Sequence, residues 1–209
     1  MLDGNPRIAA SARSALAGTT PVITVSATGN RRGVVVEEVA PVHVLQVITR
    51  RGKAGAVVVA LRDATGVDAP QTPTRIAKGD VALVWSGPGQ WLVMSPGASE
   101  TSKRVTAALA GLAAVVDQSD ARVHLRLTGP DVRAALAKLV MLDLHPGEFA
   151  PGAAAMTVIA HVPVHLWRLT DGVEGPVFVI AGPQSYATSL WHHIVISAAE
   201  YGLDARVLG

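Results

Sequence analysis

From residue 33 onward the chain switches between two hydrophobic periods, and it does so twice in the same order. GVVVEEV (33–39) opens as a strand, and Val44–Ile48 reads as the next. Helical spacing follows over Lys53–Arg62, then a polar loop with three threonines and two prolines. The runs Asp80–Trp85 and Gln90–Ser95 predict two strands joined by the turn SGPG, since glycine and proline together punctuate a hairpin. A helix over Ser99–Leu112 and a short strand over Ala114–Val116 close the first pass.

The second pass opens on Arg122–Leu127, whose alternation is clean: Val123, Leu125 and Leu127 fall on one face, Arg122, His124 and Arg126 on the other. TGPD then starts a helix, with Pro130 suited to its first turn and Val132, Leu136 and Leu139 at helical spacing. Two strands, Met156–Leu169 and Pro176–Ala181, lead to a final helix from Gln184 to Tyr201 and a last strand over Leu203–Val207. Even the approach to the last helix recurs: VMSPGAS (93–99) against VIAGPQS (179–185), each ending on a serine placed to cap free N–H groups. Both passes read strand-helix-strand-strand-helix-strand. The expected architecture is an α+β fold of two duplicated, ferredoxin-like βαββαβ units, residues 33–117 and 118–209, whose sheets are covered by helices. Residues 1–32 lack sustained periodicity and read as a flexible N-terminal arm.

Composition narrows what such a fold does. Hydrophobic residues make up 49% and charged residues only 16%, against about 25% charged in an ordinary soluble domain. Such a surface belongs in a membrane or against partners. A spanning helix needs about 20 consecutive apolar residues, whereas the best run, Ala54–Leu61, is short and holds a glycine. The first residues carry Asp3 and no apolar core, so they do not read as a secretory signal. The expectation is a cytoplasmic chain with a large subunit interface. Net charge is +2, with aromatics at 4%, which does not describe a nucleic-acid binder. Cysteine is absent, removing disulfides, thiolate metal sites and thiol nucleophiles.

Candidate chemistry is sparse. SGPGQW (86–91) has Gly87 and Gly89 but neither the third glycine nor the helix start of a phosphate loop. His161 and His165 are four apart but lie in HVPVHLW, which alternates as a strand and would separate them by about 13 Å. His192 and His193, adjacent on a helix, point about 100° apart. Neither pair has a third ligand in reach, so no metal site is expected. The row Arg122, His124, Arg126 invites an anion; the simpler reading is a solvated strand face neutralised by Asp117 and Asp120. Trp191 belongs to a core with Leu190, Ile194 and Ala198. Trp85 and Trp91, flanking a turn, are candidate subunit-interface anchors. Asp143 and His145 are candidate interface residues too, set in an apolar segment where a loop presents them outward. Their local alternative is turn closure by Asp143 and a bond from His145 to a backbone carbonyl. No catalytic residue is named.

Four of these stretches together resemble one family. WSGPGQWLVMSP (85–96), DQSDARVHLRLTGPD (117–131), LDLHPGEFAPG (142–152) and SLWHHIVISAAEYG (189–202) look like the successive hallmarks of sarcosine oxidase gamma subunits. The LDLHP of Leu142–Pro146 followed by Phe149–Gly152 is the most distinctive. The wider resemblance is to glycine-cleavage aminomethyltransferases and their folate-binding-domain-like fold. It implies a non-catalytic subunit of a heterotetramer that oxidatively demethylates sarcosine to glycine, with hydrogen peroxide and formaldehyde or methylenetetrahydrofolate as the other products. It implies alpha, beta and delta subunits as partners, and FAD, FMN, NAD, zinc and tetrahydrofolate as cofactors of those partners, with none in this chain. No folate-anchoring acid can be matched here. The alternatives are a free-standing folate-binding aminomethyltransferase-like protein, or the equivalent subunit of an N-methylglutamate dehydrogenase-type enzyme.

Overall fold

The computed structural model describes residues 14–16, 18, 22–25, 32–39, 42–97 and 100–207. Along them run β1 (Val22–Val25), β2 (Val34–Glu38), β3 (His43–Thr49), α1 (Ala54–Thr65), β4 (Arg75–Lys78), β5 (Val81–Gly87), β6 (Gln90–Ser95), α2 (Glu100–Ala108) and β7 (Ala113–Asp117). After a turn of 3-10 helix at Ser119–Ala121 come β8 (Arg122–Thr128), α3 (Val132–Ala137), β9 (Ala154–Ile159), β10 (Val162–Gly172) and β11 (Gly175–Pro183). A second 3-10 turn (Gln184–Tyr186), α4 (Ala187–Ala199) and β12 (Leu203–Arg206) complete the order.

The strands form a five-stranded sheet, β4-β5-β6-β3-β7, and a seven-stranded sheet, β1-β12-β2-β8-β11-β10-β9. The duplication read from the sequence is present. In the first unit β3, β5, β6 and β7 lie in the order β5-β6-β3-β7; in the second β8, β10, β11 and β12 lie as β10-β11-β8-β12, with β2 inserted between the last two. Each unit also gains one short strand at the same edge, β4 or β9. Although β2 heads residues 33–117, it hydrogen-bonds only in the other unit's sheet, parallel to β12 and antiparallel to β8.

Helix α1 illustrates why these segments fold as they do. Val57, Leu61 and Ala64 recur at helical spacing on its buried face. Gly66 then stops it in the left-handed conformation (φ 72°), donating its N–H to the Arg62 carbonyl at 2.7 Å. With α2, this helix covers the outer face of the five-stranded sheet over Leu45, Val47, Leu83, Trp91 and Val93. Helices α3 and α4 cover the outer face of the seven-stranded sheet over Val123, Leu125, Leu127, Phe178 and Ile180, with Trp191 in this core as its spacing predicts. The inner faces of the two sheets meet across Val44, Val84, Leu92, Ala154, Trp167 and Val179. The layers are therefore helix, sheet, sheet, helix, and every central strand is buried on both faces.

Two features of the sequence reading change. The long strand expected over Met156–Leu169 is a hairpin: β9 turns into β10 at Ala160 (φ 47°) and His161 (φ 71°). Positive φ at both turn residues usually comes with Asn-Gly, and an Ala-His pair carries no such signal. Parts of the expected arm also belong to the fold. β1 pairs antiparallel with β12, Leu16 is wholly buried in the second unit's core, and Ser14 Oγ donates to Glu38 Oε2 at 2.6 Å. Residues 1–32 other than 14–16, 18, 22–25 and 32, and the proposed cap Ser99, lie outside the described residues.

Candidate functional site

Polar side chains collect where the two sheets face each other. On β8, Val123, Leu125 and Leu127 enter the helix-side core, so Arg122, His124 and Arg126 point toward the other sheet. This corrects the reading of a solvated row. His124 is 4% exposed, with its ring 6.2 Å from that of Trp167. Arg126 is met by Glu37 at 3.2 Å rather than by Asp117 or Asp120. Glu37 also takes Arg206 at 3.3 Å, and the buried Asp204 takes Arg206 at 2.6 Å and Arg32 at 3.3 Å.

The pair His165 and Ser86 was not legible in the sequence. Ser86 occupies the bulge between Trp85 and Gly87 on β5, which turns its hydroxyl inward. Its Oγ lies 2.8 Å from His165 Nε2, and Arg122 Nη1 lies 3.3 Å from His165 Nδ1. A guanidinium only donates, so Nδ1 accepts, the ring proton sits on Nε2, and Nε2–H donates to Ser86. Burial, then Arg122, then His124 lower the His165 pKa to about 4. Burial and Arg122 lower that of His124 to about 4 as well. Both imidazoles are neutral at physiological pH. In a hydrolytic triad a carboxylate stands at Nδ1 and leaves Nε2 free to take the serine proton. Here an arginine stands at Nδ1, the polarity is reversed, and Ser86 is an acceptor rather than an activated nucleophile.

A second polar tie crosses from β3 to the start of the second unit. Ser119 Oγ donates to Asp117 Oδ1 at 2.5 Å and accepts the Val44 N–H at 3.1 Å. The one hydroxyl proton being spent on Asp117, His43 Nδ1, 2.9 Å from Ser119 Oγ, must donate. Asp117 also accepts the Ser119 N–H at 2.9 Å. Those two bonds hold its carboxyl below the usual range, with a smaller contribution from His43. The Asp-x-Ser of DQSDARVH is thus a stitch between strands. In the TGPD that follows β8, Gly129 (φ 121°) passes so near the Gly33 carbonyl that a Cβ would collide with it.

The LDLHP segment is pinned from below. Arg133 Nε donates to the Leu144 carbonyl at 3.1 Å and the buried Arg168 donates Nη1–H to the Phe149 carbonyl at 2.9 Å. Asp143 Oδ1 accepts the His145 N–H at 2.8 Å, and His145 Nδ1 accepts from Gly147 N–H at 3.2 Å. Asp143 therefore closes a turn as expected, whereas His145 takes a backbone N–H and not the expected carbonyl; both remain exposed. Of the two tryptophans, Trp85 is half-buried. Trp91 is 2% exposed, with its Nε1–H donated to the Pro70 carbonyl at 2.8 Å; it packs in the first unit's core and offers no surface to a partner. Trp85 is its cross-strand partner, so both tryptophans lie on the helix-covered face of the sheet, which a turn-flanking position alone does not reveal.

His161 sits in the β9–β10 turn, exposed, while His165 is buried; the two do not share a site. Among the described residues no group of three His, Asp or Glu side chains is placed to hold a metal ion, and no helix is long and apolar enough to cross a membrane.

Comparison with known proteins agrees with this geometry. Residues 50–200 match the model of the sarcosine oxidase gamma subunit family. The chain is 36% identical over 138 residues to a sarcosine oxidase subunit gamma of Arthrobacter sp, covering 65% of this chain and 67% of that one. It superposes on a chain of the heterotetrameric sarcosine oxidase from Corynebacterium sp. U-96, solved with pyrrole 2-carboxylate, with a TM-score of 0.77 and 26% identity. That match covers 91% of this chain and 96% of the other. The aminomethyltransferase T of the glycine cleavage system of Bartonella henselae shares the fold alone: TM-score 0.57 at 14% identity, over 86% of this chain and 48% of that one. By its sequence and its fold, the chain belongs to the sarcosine oxidase gamma subunit family.

Proposed function

We propose that this chain is the non-catalytic gamma subunit of a heterotetrameric sarcosine oxidase. Its complex would oxidise the N-methyl group of sarcosine, releasing glycine, with oxygen reduced to hydrogen peroxide and the one-carbon unit leaving as formaldehyde or as methylenetetrahydrofolate. FAD, FMN, NAD, zinc and tetrahydrofolate belong to the alpha, beta and delta partners in this reading, and the assembly works in the cytoplasm. The observation that carries it is the match over 96% of a chain of the Corynebacterium heterotetramer. The reversed polarity of Ser86, His165 and Arg122 supports a structural part, because this hydroxyl beside an imidazole accepts rather than attacks. Asp143 and His145 stay in the proposed subunit interface, exposed on a locally braced segment, and so does the half-buried Trp85.

The purified chain alone should be colourless and consume no oxygen with sarcosine, and it should co-purify with larger flavin-bearing subunits when these are co-expressed. Stoichiometric flavin on the isolated chain, or sarcosine oxidation by it, would overturn the reading.

A further inference from the structure

Beyond the polar cluster, the inner face of the seven-stranded sheet continues toward its β9 edge as a strip of apolar side chains open to solvent. Cross-strand partners share a face. Met156 stands opposite His165, His165 opposite Ala181, and Ala181 opposite His124. One step outward, Val158 stands opposite Pro163 and Pro183 opposite Arg122. The inner row is sealed at His165, Ala181 and His124 but open at Met156, which is 52% exposed; in the outer row Val158 is 38% exposed and Pro163 is exposed too.

Arg122 ends this outer row, half-buried and without a counter-charge. Its Nη1 donates to a neutral imidazole, its buried Nε has no partner, and among the described residues no carboxylate pairs with it. Arg32, Arg126, Arg168 and Arg206 each have one. The acids nearest in the chain are elsewhere: Asp117 is taken by Ser119 and Asp120 is exposed. A guanidinium stays charged at any physiological pH, and partial removal from water is costly until a carboxylate meets it. An arginine without a counter-charge at one end of a row whose other end is open and apolar has the make-up of an interface anchor.

We propose that another subunit of the oxidase docks on this strip, setting an Asp or Glu carboxylate against Arg122 and apolar side chains against Met156, Val158 and Pro163. The proposal rests on the chain's role as a gamma subunit.

The test is assembly with co-expressed partner subunits, comparing wild type with Arg122→Gln, Val158→Asp and Arg126→Gln. Arg122→Gln and Val158→Asp should each weaken assembly by about tenfold or more. Arg126→Gln, whose arginine already has Glu37, should stay within about twofold. Backbone amides of β9 should exchange more slowly in the complex than in the free full-length chain. Arg122→Gln and Val158→Asp assembling like wild type, or β9 amides equally open in both states, would overturn the proposal. Where Arg122→Gln does not fold, Val158→Asp at its exposed position and the exchange data decide. Concentration-dependent self-association abolished by Val158→Asp would assign the strip to a second copy. An acetate-dependent rise in Tm lost in Arg122→Gln would assign it to a small anion, and a matching effect of Asp3→Asn would supply the charge from within; each overturns it. If wild type itself recruits no partner, the gamma-subunit reading falls first, which is a distinguishable result.

Discussion

Replacing Arg168 with methionine tests whether the distinctive 142–152 segment is held by one buried guanidinium. Arg168 is 3% exposed. It donates Nη1–H to the Phe149 carbonyl at 2.9 Å and Nη2–H to Asp171 Oδ1 at 2.7 Å, while its Nε has no partner. Its backbone adds two bonds, accepting the Gly152 N–H and donating to Ala153 O, both at 2.9 Å. Methionine keeps those backbone bonds and most of the stem's volume, so the change isolates the charged head. Leaving the buried Phe149 carbonyl without a donor costs about 1–3 kcal/mol. Asp171, with a side chain 49% exposed, is rehydrated, so losing that pair costs under about 1 kcal/mol. Removing a desolvated guanidinium with an idle Nε recovers part of its burial penalty. The net destabilisation is about 2 kcal/mol. At about 2–4 °C per kcal/mol for a chain of this size, Tm falls by about 4–8 °C. Asp171→Asn, touching only the wetter half, should cost under about 3 °C. Thermal unfolding followed by circular dichroism reads both numbers, and hydrogen exchange should show the amides from Phe149 to Gly152 loosening first in Arg168→Met. An Arg168→Met protein melting within about 1 °C of wild type would refute the reasoning. So would an Asp171→Asn protein that loses as much, since the weight would then lie on the exposed pair.

Two further outcomes follow from the same structure. Unfolded histidine titrates near 6.5, whereas His124 and His165 are held at about 4 when folded. As pH falls the unfolded chain therefore takes up protons that the folded chain refuses: stability is full above about 6.5, is lost as pH drops toward about 4, and levels below it. The loss approaches roughly 3 kcal/mol per imidazole and less than twice that for the coupled pair. Urea melts between pH 7.5 and 4.5 should show it, with a shallower slope in His165→Gln, and equal stability at both ends would sink the assignment. Leu16, wholly buried beside the second unit's helices, should cost about 2–5 kcal/mol when cut to alanine; a Tm within about 1 °C of wild type would mean that this segment is not part of the core.

The duplication was legible because it is written in local periods: α1 and α4 have one apolar face each, and β3, β6 and β8 alternate or run apolar between turn residues. What was not legible depends on pairing between distant segments. Nothing in GVVVEEV says that β2 will lie between β8 and β12, and nothing in VITV says that it will pair with β12. β4, RIAK, is too short and too exposed to show a period. The β9–β10 turn hid because Ala160 and His161 are not turn formers. The family motifs could be seen in the sequence but not explained there. Gly129 is required by the approach of Gly33, and Asp117 and Ser119 by the free N–H of Val44.

The polar cluster was hidden for a more general reason. A strand with cations on one face reads as half-solvated whenever it has one sheet neighbour layer, but in a helix-sheet-sheet-helix stack the second face is interior too. The apolar part of that interior is small and smooth: Ala154, Ala181, Val44, Val84 and Val179 around one tryptophan. Such a surface tolerates sliding, because alanine and valine exchange partners at little cost. Two units of like strand order placed face to face would then have several packings of similar energy. The hydrogen bonds remove that freedom. Ser86 belongs to the first unit and His165 to the second, and Val44 and His43 of the first meet Ser119 at the start of the second. A slip by one residue would strand these groups, each at about 1–3 kcal/mol, without gaining apolar contact. The buried polar residues therefore fix how the two units face each other, and with that the position of Arg122 at the start of β8, where a partner would meet it.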